Sequence, residues 1–312
     1  MRKEIIKTHF NKDLAYLISK YDYFIEGNVD KILRGHNHCI KYLNILPNGQ
    51  MISRSSDEIY IIWKSSGDID KTMEDPYIVG INILPSLDGG QIASESNDHT
   101  CIIWNPNDGK VNKVLKGHKN WINCVDILPN GQIVSGSMDN TCIIWKDDGE
   151  IDKVLRGHTD HITCIDFLPN GQIVSGSYDN NCIIWKLDGE IDTICRGHTN
   201  YVYCIRVLSS KDGGKIISGS WDETLIIWNL DGEIDTICSG HKNWISCINI
   251  LPNGQIISGS WDNTCIIWKE DGQIDKILKG HTSYVNCISI LPFKDCGQIV
   301  TASTDKTLII WK

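Results

Sequence analysis

The chain lacks any apolar run long enough to cross a membrane, and its first residues, MRKEIIKTHFNKDL, lack the apolar core of a signal peptide. No Asn-x-Ser/Thr sequon occurs in it. Positive charge is also scarce, because 30 Lys and Arg stand against 39 Asp and Glu, for a net charge of −9. A protein that binds nucleic acid by neutralising phosphates needs a basic surface. We therefore expect neither nucleic acid nor a membrane as partner.

The sequence does contain a repeat, seen most clearly at residues 117–145 as GHKNWINCVDILPNGQIVSGSMDNTCIIW. Seven copies end in Trp at intervals of 40–43 residues: Trp63, Trp104, Trp145, Trp185, Trp228, Trp268 and Trp311. A Gly-His pair opens six of the seven copies, with its histidine at His36, His118, His158, His198, His241 and His281. The second copy has Met73 and Glu74 where the pair is expected.

A period near 40 residues, with Gly-His early, Asp late and Trp last, resembles the WD40-repeat family over residues 30–312. The Trp-Asp dipeptide of the family's name is missing, since Lys or Asn follows each Trp. The resemblance implies an all-β fold, a seven-bladed propeller with four strands in each blade. Residues 30–34 match the outermost strand of later copies, so we expect them to close the ring by pairing with the strand that ends at Trp311. The near-identical copies also look similar to lineage-expanded WD-repeat proteins, including those fused to BTB/POZ domains in large DNA viruses.

Two regions are therefore expected, an N-terminal extension at residues 1–28 and the propeller at residues 29–312. Within the extension, Leu14, Leu17, Ile18 and Tyr21 form one apolar stripe at helical spacing. This stripe predicts a short helix. The helix either packs on the propeller or is the remnant of an oligomerisation module.

The 13 cysteines include no Cys-x-x-Cys pair, which argues against a zinc site. They are placed by the repeat rather than as a disulfide scaffold. Cys124, Cys164, Cys204, Cys247 and Cys287 lie six residues after the Gly-His histidine, and Cys101, Cys142, Cys182 and Cys265 lie three after the repeat Asp. Such recurrence indicates small core residues in a reducing compartment. We expect an intracellular protein, in the cytoplasm rather than the nucleus.

His118, Ser135, Asp139 and Trp145 have the residue types of a hydrolase triad with an added Trp. An active site is needed once, however, and this set recurs in six copies. In the WD40 family the equivalent residues form a hydrogen-bonded chain within each blade. By resemblance the other sets are His36/Ser53/Asp57/Trp63, His158/Ser175/Asp179/Trp185, His198/Ser218/Asp222/Trp228, His241/Ser258/Asp262/Trp268 and His281/Thr301/Asp305/Trp311. In the second copy Glu74 replaces the histidine, which predicts the loss of about 1 kcal/mol of hydrogen bonding and either the most mobile blade or a Glu74 side chain turned out to the surface.

Four further tryptophans point to a binding surface. They fall at two repeat positions, three residues after the Gly-His histidine and one before the repeat Asp, on the rim that we call the top face. Across the copies these positions hold Tyr77, Trp121, Met138, His161, Tyr178, Tyr201, Trp221, Trp244, Trp261 and Tyr284. Large apolar groups clustered on a surface are typical of an interaction site. The alternative is that the rings pack against adjacent blades. Lys119 and Lys242 lie nearby to receive an acidic or phosphorylated segment.

The opposite rim, the bottom face, is acidic. Its carboxylates are Asp147, Asp148, Glu150, Asp152, Asp188, Glu190, Asp192, Asp231, Glu233, Asp235, Glu270 and Asp271. They form either a solvated face or a docking site for a basic partner.

Together these patterns predict a non-catalytic scaffold, a monomeric ring that binds a protein or peptide on its top face. No cofactor is expected, because none of the Gly-rich turns leads into a helix as a phosphate loop does. Two alternatives stay open. The chain is a substrate-recruiting subunit of a ubiquitin-ligase-type assembly, or it is a propeller enzyme. An enzyme needs a non-repeated polar cluster in the channel, and the sequence reveals none.

Overall fold

The structure is a computed structural model that describes residues 27–46, 48–64, 66–74, 80–84, 91–95, 99–104, 111–208, 214–291 and 298–312. The helix predicted within residues 1–28 and the rim residue Tyr77 lie outside these ranges. Within them the regular structure is entirely β-strand, and no helix long and apolar enough to span a membrane occurs there.

The 28 strands fall into four repeat positions. The innermost strands are β2 (Ile40–Ile45), β6 (Gly80–Leu84), β10 (Ile122–Ile127), β14 (Ile162–Phe167), β18 (Val202–Leu208), β22 (Ile245–Ile250) and β26 (Val285–Ile290). The second strands are β3 (Met51–Ser55), β7 (Gln91–Glu95), β11 (Ile133–Ser137), β15 (Ile173–Ser177), β19 (Lys215–Ser220), β23 (Ile256–Ser260) and β27 (Ile299–Ser303). The third strands are β4 (Ile59–Trp63), β8 (Thr100–Trp104), β12 (Thr141–Trp145), β16 (Asn181–Trp185), β20 (Thr224–Trp228), β24 (Thr264–Trp268) and β28 (Thr307–Trp311). The outermost strands are β1 (Val29–Arg34), β5 (Ile69–Glu74), β9 (Val111–Lys116), β13 (Ile151–Arg156), β17 (Ile191–Arg196), β21 (Ile234–Ser239) and β25 (Ile274–Lys279).

These strands form seven four-stranded antiparallel sheets, as the repeat predicts. We number the blades by chain order: β2–β5 make blade 1, β6–β9 blade 2, β10–β13 blade 3, β14–β17 blade 4, β18–β21 blade 5 and β22–β25 blade 6. Blade 7 consists of β26–β28 and β1. Each innermost strand contacts the innermost strand of the next blade, and β26 contacts β2, so the ring is closed.

The predicted closure by the N-terminal strand is confirmed. In this pairing Lys31 lies opposite Ile310 and Arg34 opposite Thr307, and the Lys312 amide donates to the Asn28 carbonyl at 3.0 Å. The strand thus supplies the fourth strand of the last blade and covers an edge that would otherwise have unpaired backbone groups.

The turns follow from their sequences. In the Leu-Pro-Asn-Gly turn of blade 3, the Gly131 amide donates to Leu128 O at 2.8 Å, and the glycine adopts φ 93°. The turn between the second and third strands places Asn140 at φ 67°, a left-handed conformation that Asn tolerates better than most residues.

The hydrophobic core lies between blades. One cluster joins Val134 and Leu155 of blade 3 to Ile165 and Trp185 of blade 4, and all four side chains are buried. Blades approach closely because Gly136 stands where a β-carbon would be 2.7 Å from Ile162 Cγ2 of the next blade. Burial of each such aliphatic side chain contributes about 1.5–3 kcal/mol to the free energy of folding.

The cysteines follow the predicted pattern in part. All of those described are free thiols. Cys101, Cys142, Cys182 and Cys265 of the third strands are buried, whereas the innermost-strand cysteines, such as Cys124, are half-buried. Burial raises the pKa of the Cys164 thiol to about 12, so this thiol is protonated and unreactive at neutral pH.

Glu74 does not occupy the histidine position. It is the last residue of β5 and lies opposite Ile59, just as Arg156 closes β13 opposite Thr141. The prediction that Glu74 replaces the histidine is therefore wrong, because it rests on the distance to Trp104 across a turn and a segment whose lengths differ from those of other copies. Seven positions lead from Glu74 to Ile81 of the next innermost strand, whereas nine lead from Arg196 to its counterpart Ile205. The second copy has therefore lost two residues from the segment that carries Gly-His elsewhere.

Candidate partner-binding face

A hydrogen-bonded chain runs from the core to the top face in blade 3. Trp145 Nε1–H donates to Ser135 Oγ at 2.8 Å, and Ser135 Oγ lies 2.8 Å from His118 Nε2. His118 Nδ1 lies 2.9 Å from Asp139 Oδ2. The assignment that satisfies every group has the serine hydroxyl donating to Nε2 and a neutral imidazole donating its Nδ1 proton to the carboxylate. The buried serine and tryptophan are thereby paired.

The carboxylate end of this chain is ionised. Burial alone raises the pKa of Asp139, but hydrogen bonds from His118, the Thr141 hydroxyl and the Lys119 amide outweigh burial and hold this pKa well below its usual range. The Thr141 hydroxyl, 2.6 Å from Asp139 Oδ1, also orients the carboxylate towards the histidine. Each such chain leaves one negative charge just beneath the top face.

Blades 4 to 7 repeat this geometry. Their histidine–aspartate distances are 2.7 Å for His158–Asp179, 2.8 Å for His198–Asp222, 2.8 Å for His241–Asp262 and 2.8 Å for His281–Asp305. Their hydroxyl centres, each bonded to the blade's histidine and tryptophan, are Ser175, Ser218, Ser258 and Thr301. The structure thus brings together the sets expected in these blades.

Blade 1 departs from the expected set. His36 Nε2 and Trp63 Nε1 each lie 2.7 Å from Ser53 Oγ, but buried His36 Nδ1 has no hydrogen-bond partner. Asp57 instead accepts from the Ser55 hydroxyl. Ile59 stands where other blades have Thr or Asn, so blade 1 has no polar side chain at this position to orient the aspartate. Burial lowers the pKa of His36 to about 4, only partly opposed by the charge of Asp57.

Seven of the ten predicted rim residues form one continuous arc of rings across blades 4 to 7. Parallel stacks join adjacent blades: Tyr178 on Tyr201 at 4.2 Å, Trp221 on Trp244 at 3.8 Å, and Trp261 on Tyr284 at 4.5 Å between ring centroids. Tilted contacts within a blade link these stacks, such as Trp244 to Trp261 at 4.7 Å. The seventh ring, His161, lies 5.7 Å from Tyr178. We call these seven rings the aromatic arc. Its rings pack across blades, as one of the two alternatives predicts, and they also lie at a surface, as the other predicts.

Two other predicted rim residues, Trp121 and Met138, lie on blade 3 beyond the arc. Trp121 is 48% exposed, whereas Trp244 at the same repeat position is half-buried. A ring that the sequence prediction missed, Tyr203 on β18, lies 5.8 Å from Trp221 at the channel side of the arc. The sequence feature that could have revealed Tyr203 is an aromatic residue two positions after Tyr201. Blades 3, 4, 6 and 7 have Asn, Thr or Ser at this position.

The innermost strands join their neighbours through polar side chains that the sequence prediction did not identify. Asn123 Nδ2 donates to Ile162 O at 2.8 Å, and Thr163 Oγ1 donates to Val202 O at 2.7 Å. At the ring closure Asn286 Nδ2 donates to Ile40 O at 2.7 Å. These residues sit at the irregular position of each innermost strand and fix one blade to the next.

The channel also contains a non-repeated charged group, so the expectation of none was wrong. Asp126, Asp166 and Arg206 stand at one repeat position of blades 3, 4 and 5, where blades 6 and 7 have Asn249 and Ser289. Asp166 Oδ2 accepts from the Val207 amide at 2.8 Å. Burial, with the like charge of Asp166 nearby, raises the pKa of Asp126 to about 6. The repeat hid these residues because each replaces a polar residue with another.

The predicted acidic residues of the bottom face are exposed, and several have local partners. Asp148 Oδ1 accepts from the Glu150 amide at 3.0 Å within its turn, and Asp192 accepts from Gln172 Nε2 at 2.8 Å. Leu187 on this face is 66% exposed. These contacts give part of the acidic set a role in turn structure.

Comparison with known protein families identifies a family with this repeat. The model of the family described as "WD domain, G-beta repeat" matches the chain five times, at residues 109–146, 149–186, 189–229, 232–269 and 272–312. No match was found among curated proteins. Seven closed blades, the histidine–aspartate chains and matches over more than half of the sequence show that the chain belongs to the WD40-repeat family.

Proposed function

We propose that this chain is a non-catalytic scaffold whose working surface is the top face of blades 3 to 7. Protein interaction is the general role of the WD40-repeat family, to which the chain belongs. The aromatic arc is the observation that supports the proposal. Tryptophan and tyrosine are enriched among the residues that dominate interface energies, because they bury large areas with few rotatable bonds. The arc provides six such side chains and His161 on a rigid ring.

The non-catalytic assignment is supported by the repetition of the His-Ser-Asp sets. In five blades the histidine is held between a hydroxyl and a carboxylate, and all three side chains are buried or nearly so. A buried chain that spans the blade supports its geometry and leaves no nucleophile facing solvent. The replacement Asp139→Ala should therefore lower stability and leave any activity of the folded fraction unchanged.

Affinity capture from a cell lysate tests the working surface. The rim variant Trp121→Ala/Tyr284→Ala removes two rings that are 48% and 39% exposed, so the fold should tolerate it. The matched control Leu187→Ala/Asp188→Asn changes two exposed residues of the bottom face. We expect specific partners to be lost by the rim variant and kept by the control. The opposite pattern would move the site to the bottom face.

Two finer assignments belong to the same proposal. We propose that the ring is monomeric, because its own first strand closes it, and sedimentation at micromolar concentration tests this. We also keep recruitment of substrates to a ubiquitin-ligase-type assembly as one form of the scaffold role. Recovery of ligase subunits with wild type but not with the rim variant supports that form.

A further inference from the structure

The stacks of the aromatic arc follow one rule. The ring before the aspartate of one blade covers the ring three residues after the histidine of the next blade. Tyr178 thus covers Tyr201, and Trp221 covers Trp244, with planes inclined by 14° and 2°. Trp261 covers Tyr284 in the same way, with planes inclined by 5°. Each junction from blade 4 to blade 7 is completed by a pair of nearly parallel rings.

Trp121 has the position of a covered ring but no cover within the described residues. Its loop has the ordinary geometry, because the Met138 amide donates to Trp121 O at 2.8 Å just as the Trp261 amide donates to Trp244 O at 2.9 Å. In the second copy the sequence counterpart of Tyr178, Trp221 and Trp261 is Asn97, which lies outside the described residues and carries no ring. The indole of Trp121 is accordingly 48% exposed.

Exposed lysines stand close to Trp121 in the sequence. Lys119 lies two residues before it, and Lys116 ends β9 just upstream. The Asp139 carboxylate of the same blade is already engaged by His118 at 2.9 Å and by the Lys119 amide at 2.8 Å. An incoming chain therefore meets an exposed indole on a loop that carries an exposed ammonium group.

From these observations we propose that Trp121 is a docking site for an aromatic side chain of an acidic peptide segment. The partner's ring completes the stack that Tyr178, Trp221 and Trp261 complete inside the protein. Its carboxylates face Lys119 and Lys116. This inference rests on the proposed function and adds to it the residue and the chemistry of the partner.

The test uses the full chain and a blocked peptide of sequence Glu-Asp-Glu-Phe-Glu-Asp-Glu, with binding followed by calorimetry at low salt. An aromatic pair contributes about 0.5–1.5 kcal/mol, so we expect Trp121→Ala to weaken binding by roughly tenfold and Trp121→Tyr by no more than about threefold. A peptide with Leu in place of Phe should also bind about tenfold more weakly, and one with Lys in place of each acid should not bind. Equal affinity of wild type and Trp121→Ala, or no binding by wild type, would overturn the inference.

A second measurement guards against changes in folding. The Trp121 indole N–H resonance is identified by its loss in Trp121→Tyr, and it should shift as the peptide is added to wild type. Leu187→Ala is the control, because that side chain is 66% exposed on the bottom face, and it should leave the peptide affinity unchanged. If Tyr284→Ala abolishes capture of lysate partners while Trp121→Ala does not, the proposed function stands and this inference fails.

Discussion

Blades 1 and 4 have the same inner half of the hydrogen-bonded chain and differ in its outer half. In both blades a buried serine lies 2.7–2.8 Å from its tryptophan and histidine nitrogens. In blade 4 Asp179 completes the chain at 2.7 Å from His158, whereas in blade 1 Asp57 turns to Ser55. The difference traces to the residue two positions after the aspartate. An identical set of His, Ser, Asp and Trp is therefore not sufficient; the aspartate also needs an orienting donor.

The side of blade 1 that faces blade 2 differs as well. Blades 3 to 6 have glycine at the position of close approach, but blade 1 has Arg54, whose guanidinium lies 5.5 Å from the Tyr60 ring centroid and 6.0 Å from that of Tyr42. A shallow depression, open to solvent, is lined by Tyr42, Arg54, Tyr60 and neighbouring residues. On this side of blade 1 a guanidinium lies near two aromatic rings, where blades 3 to 6 present a glycine.

Removal of the aspartate from each blade should give the largest difference in unfolding free energy between blades 1 and 4. Asp179→Ala should lower the free energy of unfolding by about 3 kcal/mol, because it leaves the His158 Nδ1 proton and the Thr159 and Asn181 amides without their acceptor. Asp57→Ala should cost less than about 0.5 kcal/mol, since its carboxylate is only half-buried and does not bond to His36. Urea unfolding monitored by tryptophan fluorescence measures both. Equal losses would mean that blade 1 has a complete chain in solution.

Removing a covered ring should cost more than removing an uncovered one. Trp244→Ala breaks the contacts with Trp221 at 3.8 Å and Trp261 at 4.7 Å and should destabilise the protein by about 2 kcal/mol. Trp121→Ala removes a half-exposed ring that lies outside the arc and should cost about 0.5 kcal/mol or less. The difference in Tm between the two variants is the measurement. A larger loss for Trp121→Ala would contradict the distinction between packed and uncovered rings.

The contributions of blades 1 and 4 to stability should also respond differently to acidic pH. The pKa of His36 is lowered to about 4, so in the folded state this histidine stays neutral while the unfolded chain takes up its proton below pH 6.5. The contribution of His36 to stability should therefore fall as the pH drops from 6.5 to 4, by about 1.5 kcal/mol at pH 5, whereas the raised pKa of Asp126 stabilises the folded state in the same range. The Asp179 pKa is depressed, so the stability that this group provides is present above its unfolded pKa and is lost only as the pH falls through its lower folded value. Unfolding curves of wild type and His36→Gln between pH 5 and 7 isolate the contribution of His36, since Asp126 and Asp179 are present in both proteins.

The smallest expected effect comes from a substitution that restores the histidine–aspartate hydrogen bond in blade 1. Ile59→Thr supplies the hydroxyl that elsewhere lies 2.6 Å from the aspartate and should let Asp57 accept from His36 Nδ1. We expect a gain of about 1 kcal/mol and a weaker pH dependence between pH 5 and 7. The control is Ile59→Val, which adds no donor and should give no gain. If both variants behave alike, the orienting role of this position is wrong.

Most of the fold was predictable because the repeat specifies it at every level. The Gly-His pair, the aspartate and the tryptophan gave the blade boundaries, and the unmatched residues 30–34 gave the pairing of β1 with β28. The position of Glu74 could not be read correctly, because two missing residues and a longer turn shift the count in opposite directions. Only strand register, here Ile59 opposite Glu74, locates the deletion.

The candidate site was predictable in composition but not in arrangement. Counting within the repeat found ten rim positions, yet it could not tell that Trp244 is covered by Trp221 while Trp121 stays uncovered, because the cover comes from the preceding copy. The channel group of Asp126, Asp166 and Arg206 was missed for a similar reason. Each of these residues looks like an ordinary polar substitution until the ring brings three blades around one channel.

The pairing of β1 with β28 has a consequence for biosynthesis. The ribosome makes Lys31 well before Ile310, its partner in the sheet. The blades between them can fold during synthesis, but the ring stays open with an unpaired strand edge until β28 has emerged. A chain truncated before β28 would therefore leave that edge exposed to aggregation and proteolysis.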